Sequence, residues 1–170
     1  MEDAAFDNLE SERLTIRRFG NSDAEVLAAY RDDPDVARFQ GWDRPYSTLQ
    51  ALDFISGLQD LSPGRQGTWF QFAVCLRESD ALIGDVALRT PKEGPPEGEV
   101  GFSFAAIHQG HGYATEAVHA VIRYAFDTLG MSRVFAITES RNAQARALLE
   151  RLEFNLKHKL DDGICVYDYE

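Results

Sequence analysis

The chain has 170 residues, 44% of them hydrophobic, and carries 28 acidic against 17 basic residues, a net charge of −11. That length and apolar content suit one compact domain, residues 1–170, with a core of its own. The negative balance argues against general binding to nucleic acid or to anionic membranes and favours a cationic partner, and the longest apolar runs fall short of the roughly 20 residues that a membrane helix needs.

Leu14 and Ile16 alternate with Thr15 and Arg17, so Arg13 to Phe19 is expected to be the first strand, with one face buried. Ser22 and Glu25 have capping-box spacing and are expected to open a helix with Val26, Leu27 and Tyr30 inward; Pro34 closes it or starts a new turn. A second box, Ser47 with Gln50, opens another helix whose Ala51, Leu52, Ile55 and Leu58 share a face. The aromatics of Phe39-Gln40-Gly41-Trp42, between the two helices, either line a pocket or pack in the loop.

Residues 61–67 are a loop too short to separate domains. Trp69 to Arg77 and Ala81 to Arg89 are rich in strand formers and joined by Glu78-Ser79-Asp80, which predicts a hairpin. After a polar connection from Pro91 to Gly98, the run Glu99 to Phe104 sets Val100, Phe102 and Phe104 on one face and Glu99, Gly101 and Ser103 on the other. A glycine turn, His108 to Gly112, follows, and then Ala114, Ala117, Val118, Val121, Ile122 and Ala125 recur at helical spacing as far as Gly130. Val134 to Ile137 reads as a strand buried on both faces, joined to the preceding one by a parallel crossover. Asn142 begins a helix with the stripe Ala145, Leu148, Leu149 and Leu152, and Asn155 to Lys159 with Ile164 to Tyr169 form a closing hairpin across Asp161-Asp162-Gly163.

The glycine turn is the stretch with most chemical content. No Ser, Thr, Asp or Asn stands at the start of the helix to accept its first amide hydrogens, although such caps are usual. Exposed N–H groups at a helix N-terminus, approached closely through Gly110 and Gly112, suit a phosphate or pyrophosphate. An ordinary tight turn between two core elements is the alternative, and two glycines alone do not choose between them. Arg141, Arg146 and Arg151 lie close to this turn in sequence, as anion ligands or as solvated surface. Cys75 and Cys165 lack metal-ligand spacing, and the opening Met-Glu-Asp-Ala-Ala is acidic where a signal peptide is basic and then apolar, so a reducing cytoplasm is the simplest compartment.

The order strand, two helices, three strands, helix, strand, helix, two strands resembles the GCN5-related N-acetyltransferase (GNAT) superfamily, and several stretches resemble its RimJ/RimL-like branch. Gln109-Gly110-His111-Gly112-Tyr113-Ala114 is similar to the family's acetyl-CoA pattern of Arg or Gln, two residues, Gly, one residue, then Gly or Ala. Arg141-Asn142 with Leu148-Leu149-Glu150-Arg151-Leu152-Glu153-Phe154 is similar to a second landmark, and Leu9-Glu10-Ser11-Glu12-Arg13-Leu14 to the opening. The resemblance implies an α/β (α+β) fold: a single mixed, centrally splayed β-sheet of about seven strands with about four helices packed on it.

It also implies a function. Backbone amides of Gln109, Gly110, His111, Gly112, Tyr113 and Ala114 would hold the pyrophosphate of acetyl-CoA, the co-substrate, and backbone groups of Phe104, Ala105 and Ala106 would pair with its pantetheine arm. A primary amine, on a protein N-terminus or a small cationic molecule, would then attack the thioester directly where the two parallel strands splay apart. The expected partners are thus the acceptor amine alone, without nucleic acid or membrane, and a homodimer is left open. Glu99 is the candidate base, at the start of the fourth strand, with Asp85 a weaker one; the competing reading of Glu99 is a solvated residue at a strand end. Asn142 would orient the cofactor, or cap its helix, or both. His108 and His111 read as loop residues.

Four positions depart from the family: Ala145 where this branch often has Ser, Leu149 where many relatives carry the tyrosine that protonates the leaving thiolate, Glu153 where Gly is usual and Ala106 where Pro is usual. Neither Ala145 nor Leu149 can donate a proton. Water is then the expected acid, which a thiolate tolerates because a free thiol has a pKa of about 8.5. The alternative is a non-catalytic acetyl-CoA-binding or protein-interaction module with a degenerate active site.

Overall fold

The computed structural model describes residues 6–169; the acidic opening, residues 1–5, and Glu170 lie outside the described residues. Eight strands form one sheet: β1 (Leu9–Glu10), β2 (Leu14–Arg17), β3 (Trp69–Leu76), β4 (Leu82–Arg89), β5 (Glu97–Phe104), β6 (Arg133–Glu139), β7 (Phe154–Lys159) and β8 (Ile164–Tyr169). Their order is β1-β2-β3-β4-β5-β6-β8-β7. Among the described strands, β5 and β6 are the only neighbours that run parallel. Five α-helices accompany them: α1 (Ala24–Asp32), α2 (Pro34–Ala37), α3 (Thr48–Leu58), α4 (Tyr113–Asp127) and α5 (Ala143–Arg151).

The strand registers divide the sheet into two faces. Phe70 and Phe72 on β3, Val86 and Leu88 on β4 and Val100 on β5 bury one face with Val118, Val121 and Ile122 of α4 and Leu148 and Leu149 of α5. Removing each such side chain from water is worth about 1.5–3 kcal/mol. On the other face Ala73, Cys75 and Leu82 pack against Leu27 and Tyr30 of α1 and Ile55 of α3. That second layer covers β2 to β4 and stops, so β6 and β8 are bare there: Phe135 is half-buried and Ile137 is 46% exposed. Both faces of Val134–Ile137 were expected to be buried; only the side of Val134 and Ala136 is.

Other sequence expectations need correction. The sheet gains a strand, Leu9–Glu10, and the helix set gains the short turn at Pro34, where Asp33 accepts from Asp35 N–H at 2.9 Å. The first full strand shortens to Leu14–Arg17. Ser22 and Glu25 make no capping box. Asp23 instead accepts from Gly20 N–H at 2.8 Å and holds Arg17 at 2.8 and 2.9 Å, because the guanidinium at the end of β2 offers its carboxylate a charged partner. α1 therefore starts at Ala24 and turns Val26, 44% exposed, to solvent. The Ser47–Gln50 box is present in both directions, at 2.7 and 3.2 Å. β5 begins at Glu97, which places Glu99 inside the strand instead of at its start.

Among the described residues, no helix is long and apolar enough to cross a membrane.

Candidate acetyl-transfer site

The chain leaves β5 through a single 3-10 turn, Ala106–His108, and enters α4 at Gly112, which occupies the N-cap position with φ 79° and supplies no side-chain cap. Gly110 has the same φ, in the left-handed region that a residue with a Cβ adopts only at a cost. The first bond into the helix is Glu116 N–H to Gly112 O at 3.1 Å. Among the described residues the amides of 110 to 115 have no protein acceptor, which leaves a row of donors at the positive end of a 15-residue helix. A pyrophosphate fits the chemistry of that row.

Three residues outside the turn fix its shape. Ser11 Oγ donates to Glu116 Oε1 at 2.7 Å; Arg13 donates its backbone N–H to the same oxygen and its Nε to Oε2, both at 2.8 Å. Arg13 Nη1 donates to His111 O at 2.9 Å, and the guanidinium lies 4.5 Å from the centroid of the Tyr113 ring, which stacks on His111. Burial alone would raise the Glu116 carboxyl, but the bonds from Ser11 and Arg13 outweigh it and hold it below the usual glutamate range. In the sequence Ser11 belongs only to an opening landmark, Arg13 to that landmark and the start of the first strand, and Glu116 to neither. Their signal was a first-turn carboxylate on α4 and an Arg at the start of β2, more than 100 residues apart.

Below the turn the central ladder opens. β5 and β6 pair only from Glu97↔Arg133 to Glu99↔Phe135, and β5 then runs on through Phe104 beside no neighbour on that side. Ala105 N–H donates to Ile83 O and Ala105 O accepts from His108 N–H, both at 2.9 Å, so Ala105 has both backbone groups committed inside the protein. By alternation, Phe102 and Phe104 aim theirs into the gap. Their carbonyls are met there by side-chain amides, Gln40 Nε2 at 3.2 Å and Gln109 Nε2 at 2.9 Å. Ala106 O accepts from Gln109 N–H at 3.2 Å. The Phe104 ring lies where a Cβ on Gly84 would stand, 2.5 Å away, so β4 needs glycine opposite it.

Glu99, Gly101 and Ser103 share one face of β5; Glu99 lies beside Phe135 of β6 where α1 and α3 leave that face, while Ser103 is buried. The side chain of Glu99 is 14% exposed and lies 3.3 Å from Arg89 Nη1. Asp85 sits opposite Ser103, is buried, and accepts from Tyr30 Oη at 2.5 Å and Ser103 Oγ at 3.1 Å through the same oxygen. Burial pushes the Asp85 carboxyl up, against the charge of Arg31 and the two hydrogen bonds, and burial with the neighbouring Asp85 charge raises Tyr30 well above the ordinary phenol range. Asp85 and Ser103 are both buried, which removes Asp85 from contact with an acceptor amine.

Arg31 organises the rim. It is buried between the rings of Phe54 and Trp42, at 4.2 and 4.3 Å, and donates to Tyr46 Oη at 3.2 Å, while Trp42 Nε1 donates to Arg31 O at 2.9 Å. Trp42 is thus packed into the α1–α3 layer, and Phe39 is the aromatic that reaches across the cleft, 5.9 Å from Arg141.

On the far side of the gap, Asn142 caps α5, its Oδ1 accepting from Ala145 N–H at 3.1 Å. Ala145 and Leu149 are both buried, and Leu149 belongs to the core under α4. The Cys75 thiol is pushed up to about 12 by burial, and Cys165 is buried as well, so neither is placed as a nucleophile. His108 and His111 stay in the turn, with His111 Nδ1 3.3 Å from His108 O.

The profile of the acetyltransferase (GNAT) domain matches residues 13–155. The uncharacterized N-acetyltransferase p20 of Bacillus licheniformis is 32% identical over 156 residues, 92% of this chain and 86% of that protein. Among solved structures, a GNAT-family acetyltransferase from Bacillus anthracis superposes with a TM-score of 0.82 at 21% identity, covering 96% of this chain and 98% of its own. Mycobacterium smegmatis RimJ, solved in complex with CoA-disulfide, superposes at 0.79 and 18% identity over 92% and 81%. The chain therefore belongs to the GNAT family of acetyltransferases.

Proposed function

We propose that this acyltransferase moves an acetyl group from acetyl-CoA to a primary amine by direct attack in a ternary complex. The observation that carries the reading is the gap between β5 and β6: it lies below the free amides of the turn and opens onto the face that carries Glu99. Acetyl-CoA supplies a thioester, whose carbonyl accepts the amine and whose thiolate departs. The chain's own residues do the rest. Amides of Gly110 to Ala114 hold the pyrophosphate, and the edge of β5 at Phe102 and Phe104 aligns the arm and offers N–H groups to the carbonyl oxygen. Glu99 removes the ammonium proton before the C–N bond forms. Asn142, beyond capping α5, faces the other wall of the gap.

The acceptor enters from the bare face of β6 and β8. Glu97, Glu99, Glu139 and Asp168 stand there against Arg89, Arg133 and Arg141, an excess of carboxylates that favours a cation. This supports a peptide N-terminus or a small cationic amine as acceptor. The free, buried cysteines fit a reducing cytoplasm, and a homodimer would leave the account unchanged.

Buried Ala145 and Leu149 favour one second reading, a module that binds acetyl-CoA without turning it over. Thiol release from acetyl-CoA, followed with and without each amine of a panel, separates the two: amine-dependent release supports transfer, and none with any amine, while acetyl-CoA binds, supports the module.

A further inference from the structure

In the loop Phe39-Gln40-Gly41-Trp42, Trp42 packs inward and Gln40 reaches the sheet. Its Nε2 donates to Phe102 O at 3.2 Å, across 62 residues of sequence. The loop around it is anchored: Gln40 N–H donates to Ala37 O at 3.0 Å, and Trp42 Nε1 to Arg31 O at 2.9 Å. β5 does not need the Gln40 bond to stay extended, because β4 pairs with it as far as Phe104. The bond instead brings a side-chain amide to an outward strand carbonyl beyond Glu99, where the pairing of β5 with β6 has ended.

We propose that Gln40 is a displaceable stand-in for the donor's pantetheine arm: its side-chain amide holds the position on Phe102 O that an amide of the arm takes, and gives it up when acetyl-CoA binds. The inference rests on the β5–β6 gap being the donor site. The arm carries secondary amides, and an extended chain laid along a free strand edge meets the outward carbonyls with N–H donors of that kind. Phe104 O is met by Gln109, which belongs to the turn, whereas Phe102 O is met from the other side of the cleft. A carbonyl has two lone pairs, but the arm and the Gln40 side chain need the same space beside β5. Displacement asks little of the fold. A glutamine withdraws by side-chain rotation while the anchored loop stays in place, and one neutral hydrogen bond is lost, which weakens acetyl-CoA binding by about fivefold. Because the loop stays, the displaced amide remains on the acceptor's side of the cleft, next to Phe39.

Calorimetry with acetyl-CoA and with adenosine 3′,5′-bisphosphate, which lacks the arm, tests this on the parent, Gln40→Ala and Gln40→Met. Methionine keeps the length of the side chain and removes its donor. Both variants should bind acetyl-CoA about fivefold more tightly than the parent and the bisphosphate no differently. Unchanged or weakened acetyl-CoA binding in either folded variant, or equal tightening on the bisphosphate, overturns the assignment while leaving the donor site in place. Failure of the folded parent to bind acetyl-CoA removes the donor-site reading and this one with it.

Discussion

Glu99 on β5 and Arg89 on β4 are cross-strand partners, and their side chains form an ion pair of 3.3 Å at the edge of the face where the β5–β6 ladder opens. Arg89 is about half exposed, so the pair contributes little to stability, of the order of 0–1 kcal/mol. As a base, Glu99 must release the guanidinium to take a proton. Glu99→Gln should lower kcat by about 10²-fold and leave acetyl-CoA affinity near the parent's. Steady-state rates across pH check it: a variant with the parent's rate and pH profile makes Glu99 a strand ion pair and nothing more.

Gly112→Val should weaken acetyl-CoA binding strongly. A Cβ there meets Arg13 Nη2 at 3.4 Å and holds φ 79°, so the substitution strains the turn and disturbs its clamp together. Calorimetry on the folded variant reads the loss, and unchanged affinity would remove the turn from the cofactor site.

Much of this was legible in the sequence because it depends on local pattern. The alternation Val100, Phe102, Phe104 gave the face of β5, and the absence of a capping residue before Tyr113 gave the open helix end. What stayed hidden is long-range. Nothing local announces that Arg13 reaches His111, that Gln40 covers Phe102 O, or that α1 and α3 stop short of β6 and leave Ile137 bare. The Ser22–Glu25 box failed for a local reason: spacing allowed it, but Arg17, six residues before Asp23, holds that carboxylate, and the helix starts after it.

Glu153 shows a departure with a structural cost. It follows α5 with φ 67°, where the family usually has glycine. Because the left-handed conformation costs a side-chain-bearing residue about 1–2 kcal/mol and glycine adds some unfolded-state entropy, Glu153→Gly should stabilise the fold by roughly 0.5–1 kcal/mol. Urea denaturation measures it; equal or lower stability would mean that the Glu153 side chain offsets its strain.

Ala145→Ser probes the missing acid. Ala145 is 8% exposed and starts the α5 stripe one turn from Asn142. If thiolate departure limits the rate, the added hydroxyl should raise turnover; where it finds no partner it should cost on the order of 1–3 kcal/mol. Rate and thermal stability measured together decide. Lower stability with no gain, for an acceptor whose chemistry is limiting, would make these positions plain core.

The central claim is direct transfer to an amine, and mass spectrometry of one reaction mixture tests it most closely. The protein is incubated with acetyl-CoA, first alone and then with peptides bearing free N-termini and with small cationic amines, and the masses of protein and amine are both followed. The account predicts an unmodified protein throughout and an amine heavier by one acetyl group only when acetyl-CoA and the acceptor are both present. Acetyl-CoA bound by the protein with no amine of either class acetylated, or an acetyl group found on the protein before the amine arrives, would contradict it.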